Sequence, residues 1–168
     1  MMKRFLIALS VITFFLSVQT ALAQDQKQEV KETLIKAARF LEAKPFDKDA
    51  KEMRGRAVLF IIQTDQVSVT VCGGDLMKPL LDKKNKNGSE LIGQYTIGMA
   101  AFKLENPDKK NDENAAQLAG IESALKAYEA MVKEKPKTSL AGMDDLIAKR
   151  NKGELKGLVD AADCTKKK

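Results

Sequence analysis

The chain has 168 residues, two cysteines, no histidine and a formal net charge of +6. That length fits one ordinary domain. The lack of histidine removes Ser-His-Asp and Cys-His nucleophile arrangements, histidine zinc sites and histidine-ligated haem, and a mild charge with both signs interspersed is a weak electrostatic footprint for nucleic acid.

The N-terminus reads as an export signal. Lys3 and Arg4 form a positive start, and Phe5 to Val18 is an apolar run broken only by Ser10, Thr13 and Ser17. Ala21-Leu22-Ala23 then places small residues where a signal peptidase cuts. The run is too short to span a bilayer comfortably. Cleavage between Ala23 and Gln24 is therefore expected, with 1–23 as signal peptide and 24–168 as a single helical domain. The product would be periplasmic or secreted, with no stable membrane insertion after cleavage and no nucleic acid as its natural partner.

Proline and glycine punctuate the remainder. Asp25 is placed to cap a first helix that runs to about Ala43, with Val30, Leu34, Ala37 and Leu41 on one face and Pro45 just past its end. Asp47 is placed to cap a second helix carrying Ala50, Met53, Ala57, Phe60 and Ile61 at helical spacing. Ala57 to Ile62 is apolar nearly all round, which suits a central helix or an interface. Val67-Ser68-Val69-Thr70-Val71 alternates with period two. With no second run to pair with it, the expectation is an extended connection rather than a sheet strand. Cys72-Gly73-Gly74-Asp75 is a turn, after which Asp75 opens a short helix to Leu81.

Beyond the polar loop Asn85 to Gly88, Asn87 or Ser89 opens a helix to about Glu105, striped by Leu91, Tyr95, Met99 and Phe102. Gly93, Gly98, Ala100 and Ala101 keep it slim, which favours a central position. The strongest periodicity spans Glu113 to Glu134, where Leu118, Ile121, Leu125, Tyr128 and Val132 form a seam. Glu122 with Lys126, and Glu129 with Lys133, are spaced for pairing on its wet side. Thr138 or Ser139 caps a further helix, Asn151 to Gly153 breaks it, and a last helix turns Leu155, Leu158, Val159 and Ala162 inward. The fold class expected is all-α, a single-domain bundle of six or seven helices.

In an oxidising compartment the simplest reading of Cys72 and Cys164 is one disulfide. It would close a loop of about 90 residues, valued by chain entropy at about 4–5 kcal/mol.

No catalytic, cofactor or metal site emerges. The loop after Asp82 has Asn85, Asn87 and Gly88 in calcium-loop order, yet Lys83 and Gln94 occupy the positions that need carboxylates. Cys72 to Asp75 has the glycines of an anion-binding nest, which a tight turn explains as well. Arg54 and Arg56 suit a solvated helix face, and Asp144-Asp145 and Asp160 with Asp163 suit helix capping and solvation.

Gln94-Tyr95, Gly98-Met99-Ala100-Ala101-Phe102, Glu105-Asn106-Pro107 and the run Ala119 to Glu129 resemble a group of small exported bacterial proteins, over about Asp49 to Cys164. The resemblance implies export and helicity and carries no activity with it. Tyr95 and Gly98, as a Tyr-x-x-Gly on a central helix, also resemble the periplasmic immunity proteins that neutralise amidase toxins of type VI secretion. Those carry a cysteine between that helix and the terminal one, where this chain has none.

The missing catalytic toolkit and the bundle architecture point to a non-catalytic module that binds a protein partner in the periplasm, not an enzyme. The alternative is a carrier of a small apolar ligand or lipid, for which Ala57 to Ile62 and the slim fourth helix would border the cavity.

Overall fold

In the computed structural model the described residues are 28–162, and they divide into two compact units at Thr33 and Leu34. Ala23, Gln24 and Cys164 lie outside the described residues, as do Asp25 and Asp163. In the first unit, 28–33, the Gln28 amide donates to Glu32 and the Thr33 hydroxyl donates to the Glu29 carbonyl.

Among the described residues there are seven α-helices and no strand, as the periodicity predicts. Helix α1 is described over 28–43. It is followed by α2 (Ala50–Gln63), α3 (Lys78–Leu81), α4 (Gly88–Glu105), α5 (Glu113–Glu134), α6 (Ala141–Asn151) and α7 (Leu155–Ala162). One-turn 3-10 segments precede α3, α5 and α6, at Asp75–Met77, Pro107–Lys109 and Pro136–Thr138.

Within the second unit α4 is the axis. On one side Leu91, Tyr95 and Met99 join Ile121, Leu125, Tyr128 and Met131 of α5, with Met143 of α6 and Val159 of α7. On the other, Ile97, Ala100 and Ala101 join Leu34, Ala38 and Leu41 of α1 and Ala57 and Ile61 of α2. A helix that serves two cores is apolar on both sides, so a single amphipathic stripe describes it poorly. The contact between α4 and α5 is made possible by glycine. A Cβ on Gly98 would lie 2.4 Å from the Ser123 Cβ, and one on Gly120 would lie 2.8 Å from the Tyr95 carbonyl oxygen.

Helix ends follow the expected punctuation, but the side-chain caps differ. Asp112 accepts from the Ala115 N–H at 2.9 Å and is a true cap of α5. Asp47 instead accepts from the Asp49 N–H at 3.0 Å, forming a turn before α2, and Asp49 holds the cap position. Asn87 occupies the cap position of α4 without a side-chain bond, and Ser89 falls inside its first turn. Neither Thr138 nor Ser139 caps α6, whose cap position is Leu140. Gly153, at φ 75°, turns the chain after α6, and the Glu154 N–H reaches back to the Lys149 carbonyl at 2.9 Å.

Two expected ion pairs are replaced by tertiary ones. Lys126 points to Glu42 of α1 at 3.6 Å rather than to Glu122. Glu129 holds Arg150 of α6 through two hydrogen bonds of 2.7 and 2.8 Å rather than Lys133. The planar guanidinium fork favours that exchange, because a lysine offers one charge and an arginine two parallel donors.

Candidate protein-binding surface

The segment between α2 and the Asp75–Met77 turn settles how an extended chain survives without a sheet. Thr64 is extended (φ −83°, ψ 150°), and exposure then alternates through buried Val67, exposed Ser68, half-buried Val69 and exposed Thr70. The Ser68 carbonyl accepts from the Lys103 ammonium of α4 at 2.8 Å, and the Thr70 carbonyl accepts from the Gln117 amide of α5 at 2.5 Å. Lys103 also pairs with Glu113 at 2.5 Å, which balances a side chain only 5 % exposed. The Tyr95 hydroxyl lies below the Cys72 backbone without a hydrogen bond of good geometry, and burial pushes its phenol up to about 12. Side chains of two helices thus occupy the place of a neighbouring strand.

That arrangement satisfies one edge only. In an extended chain, groups of alternate residues point to opposite sides. Ser68 and Thr70 face the helices, so residues 67, 69 and 71 present N–H and C=O groups to the other side. None of these makes a hydrogen bond with a described residue.

Next to this edge lies the second half of α2, and here the sequence expectation resolves into two faces. Ala57 and Ile61 are buried, whereas Leu59 is 51 % and Ile62 is 74 % exposed. Between α2 and the extended segment runs a groove of about 430 Å³, open along one side. Val58, Ile61, Ile62, Val67, Val69 and Val71 line it with the hydroxyl-bearing Thr64, Ser68 and Thr96, and no ionisable side chain takes part. A lining of this composition can bury apolar groups and offer hydrogen bonds. No carboxylate, lysine or arginine stands in the lining beside those hydroxyls.

The most polar cluster lies elsewhere and is shut away. Ser123 of α5 donates to Glu42 of α1 at 2.7 Å and accepts from Gln94 of α4 at 2.8 Å, while Gln94 also donates to the Ala38 carbonyl at 3.1 Å. Arg39 binds the same Glu42 oxygen at 2.8 Å. A serine beside a carboxylate suggests chemistry, but Ser123 is 1 % and Gln94 0 % exposed, so no substrate reaches them. The cluster ties three helices together. The available signal was a glutamine at the middle of α4, between Leu91 and Gly98 on its buried side.

Other sequence candidates separate in the same way. Arg54 is buried rather than solvated: it lies over Gly93, where a Cβ would come within 2.8 Å of its Cδ, and its guanidinium reaches the Pro45 carbonyl at 3.4 Å. Burial lowers its pKa from the usual arginine value. Arg56 stays exposed and pairs with Glu52. Asp144 accepts from the Tyr128 hydroxyl at 2.7 Å and pins α6 to α5, and Asp160 accepts from Asn114 at 3.1 Å and Lys156 at 2.6 Å. Tyr95 and Gly98, which carry the likeness to immunity proteins, are buried and cannot touch a partner directly. Cys72 is 8 % exposed at the end of the extended segment, and α7, described as far as Ala162, packs against the Asp75–Met77 turn that follows it.

Among the described residues no group of His, Cys, Asp or Glu side chains could hold a metal ion, and no helix is long and apolar enough to cross a membrane. No family model, no curated protein and no solved structure matches the chain.

Proposed function

We propose that this chain is an exported, non-catalytic protein-binding module whose binding face is the groove between α2 and residues 64–72. The observation that carries the reading is the coincidence of an exposed aliphatic helix face, Leu59 and Ile62, with an extended backbone edge whose groups at 67, 69 and 71 make no hydrogen bond with a described residue. Interfaces are depleted of charge at their centres, and this groove has none in its lining. A partner segment laid along it would bury apolar side chains and gain main-chain hydrogen bonds at once. The proposal includes cleavage after Ala23, a periplasmic location and a Cys72–Cys164 disulfide. The packing of α7 beside the turn after Cys72 supports the last of these.

The test is recovery of the tagged protein from periplasmic extract as wild type and as Ile62→Ser. A stoichiometric partner should accompany the wild type and be lost from the variant, with the melting temperature unchanged. No partner together with no self-association, or a partner held equally by both, overturns the reading.

A carrier of a small apolar ligand is the second reading, favoured by a groove volume within the range of ligand pockets, about 300–1,000 Å³. It ranks lower because the groove is open along one side, whereas such pockets enclose most of their ligand. Native mass spectrometry after gentle extraction would reveal a bound small-molecule mass if this reading holds.

A further inference from the structure

The extended segment is its own antiparallel complement. Read backwards, Val71-Thr70-Val69-Ser68-Val67 repeats the alternation of valine and hydroxyl that it shows read forwards. Set two copies antiparallel about Val69, and Val67 meets Val71, Val69 meets Val69, and Ser68 meets Thr70. The outward N–H and C=O groups fall on 67, 69 and 71, which are the hydrogen-bonded pairs of that register. The Ser68–Thr70 pairs then face each other at the closer spacing, where hydroxyl pairs are favourable. Both side chains are exposed.

Charge permits the same pairing. Between Arg56 and Asp75 the sequence holds a single charged residue, Asp65. In this register Asp65 lies opposite Gly73, so no like charges meet. Extended edges are normally protected from their own kind by lysine, proline or a covering element, and residues 67–71 contain neither lysine nor proline.

Resting on the reading of this face as a protein-binding surface, we infer that its occupant is a second copy of this chain, joined through residues 67–71 as an isologous two-stranded antiparallel ribbon. Stable interfaces bury about 800 Å² per partner. A five-residue ribbon flanked by Ile62 offers less, so the dimer is weak and forms as concentration rises.

The experiment is sedimentation equilibrium of the mature protein over a wide micromolar range, on the wild type and two double variants. Ser68→Lys with Thr70→Lys sets two lysine pairs face to face, and Ser68→Lys with Thr70→Glu sets lysine against glutamate in the same places. The wild type should move from monomer to dimer. The first variant should associate roughly tenfold less tightly or worse, and the second should regain dimerisation. Both keep the main-chain oxygens that Lys103 and Gln117 bind, and unchanged melting verifies the fold. Monomer at every concentration, or equal association by all three, overturns the ribbon. A monomer that still holds a partner through Ile62 refutes the ribbon but leaves the protein-binding reading standing, whereas a monomer with no partner refutes both.

Discussion

The contact between α4 and α5 and the surface between α2 and residues 64–72 follow opposite rules. At the first, glycines let two backbones close to a distance that no Cβ would tolerate, and buried polar groups such as Ser123 and Gln94 find partners. At the second, large aliphatic side chains stand in solvent and the main-chain groups of 67, 69 and 71 find no partner among the described residues. A chain able to pack to that standard at one place leaves another open.

The sharpest way to break that contrast is one substitution made on both sides. Gly98→Ala should cost about 2–3 kcal/mol, because the added methyl meets the Ser123 Cβ and the helices must part. Gly55→Ala in α2, where nothing lies within 4 Å of the new methyl, should raise stability by about 0.5–1 kcal/mol. Urea denaturation of both variants checks the signs, and a shared sign would dissolve the distinction between the two regions.

A somewhat smaller loss is expected from Lys103→Met. It removes the donor to the Ser68 carbonyl and leaves Glu113 without its cation, at about 1–3 kcal/mol. Limited proteolysis should then cut within residues 64–74 well before the helices. Cleavage spread evenly along the chain would show that Lys103 does not hold this segment in particular.

The third expectation sharpens the contrast through pH. Tyr95 has its pKa raised from 10 to about 12, so above pH 10 the unfolded chain releases the proton first and the folded state loses stability as pH rises toward 12. The contribution is about 3 kcal/mol at most. Tyr128 is raised too, by burial first and its hydrogen bond to Asp144 second, and adds to the alkaline loss. Comparing urea midpoints at pH 9 and pH 11.5 should show a smaller drop for Tyr95→Phe than for the wild type. Equal drops would mean that Tyr95 is not shielded from water.

The helices were legible because their signals are local. Pro45, Pro107 and Pro136 stop elements wherever the chain runs, and the seam from Leu118 to Val132 needs only a period of 3.6. What escaped depends on partners far away in sequence. Arg54 reads as solvated until Gly93, from another helix, is seen to leave room for its stem. Lys126 and Glu129 have suitable neighbours four residues off and choose Glu42 and Arg150 instead. The extended segment was readable as a pattern, and so was its lack of a pairing strand. That Lys103 and Gln117 would stand in for that strand was not, since each reads as an ordinary polar residue on its own helix.

The anchoring of the extended segment has a consequence for how such a surface changes over generations. Lys103 and Gln117 grip carbonyl oxygens, which all twenty amino acids carry. Side chains at 68 and 70 can therefore be exchanged without loosening the hold, at positions that selection on folding scarcely sees. Lineages of this chain should keep the two anchors while the residues above them drift.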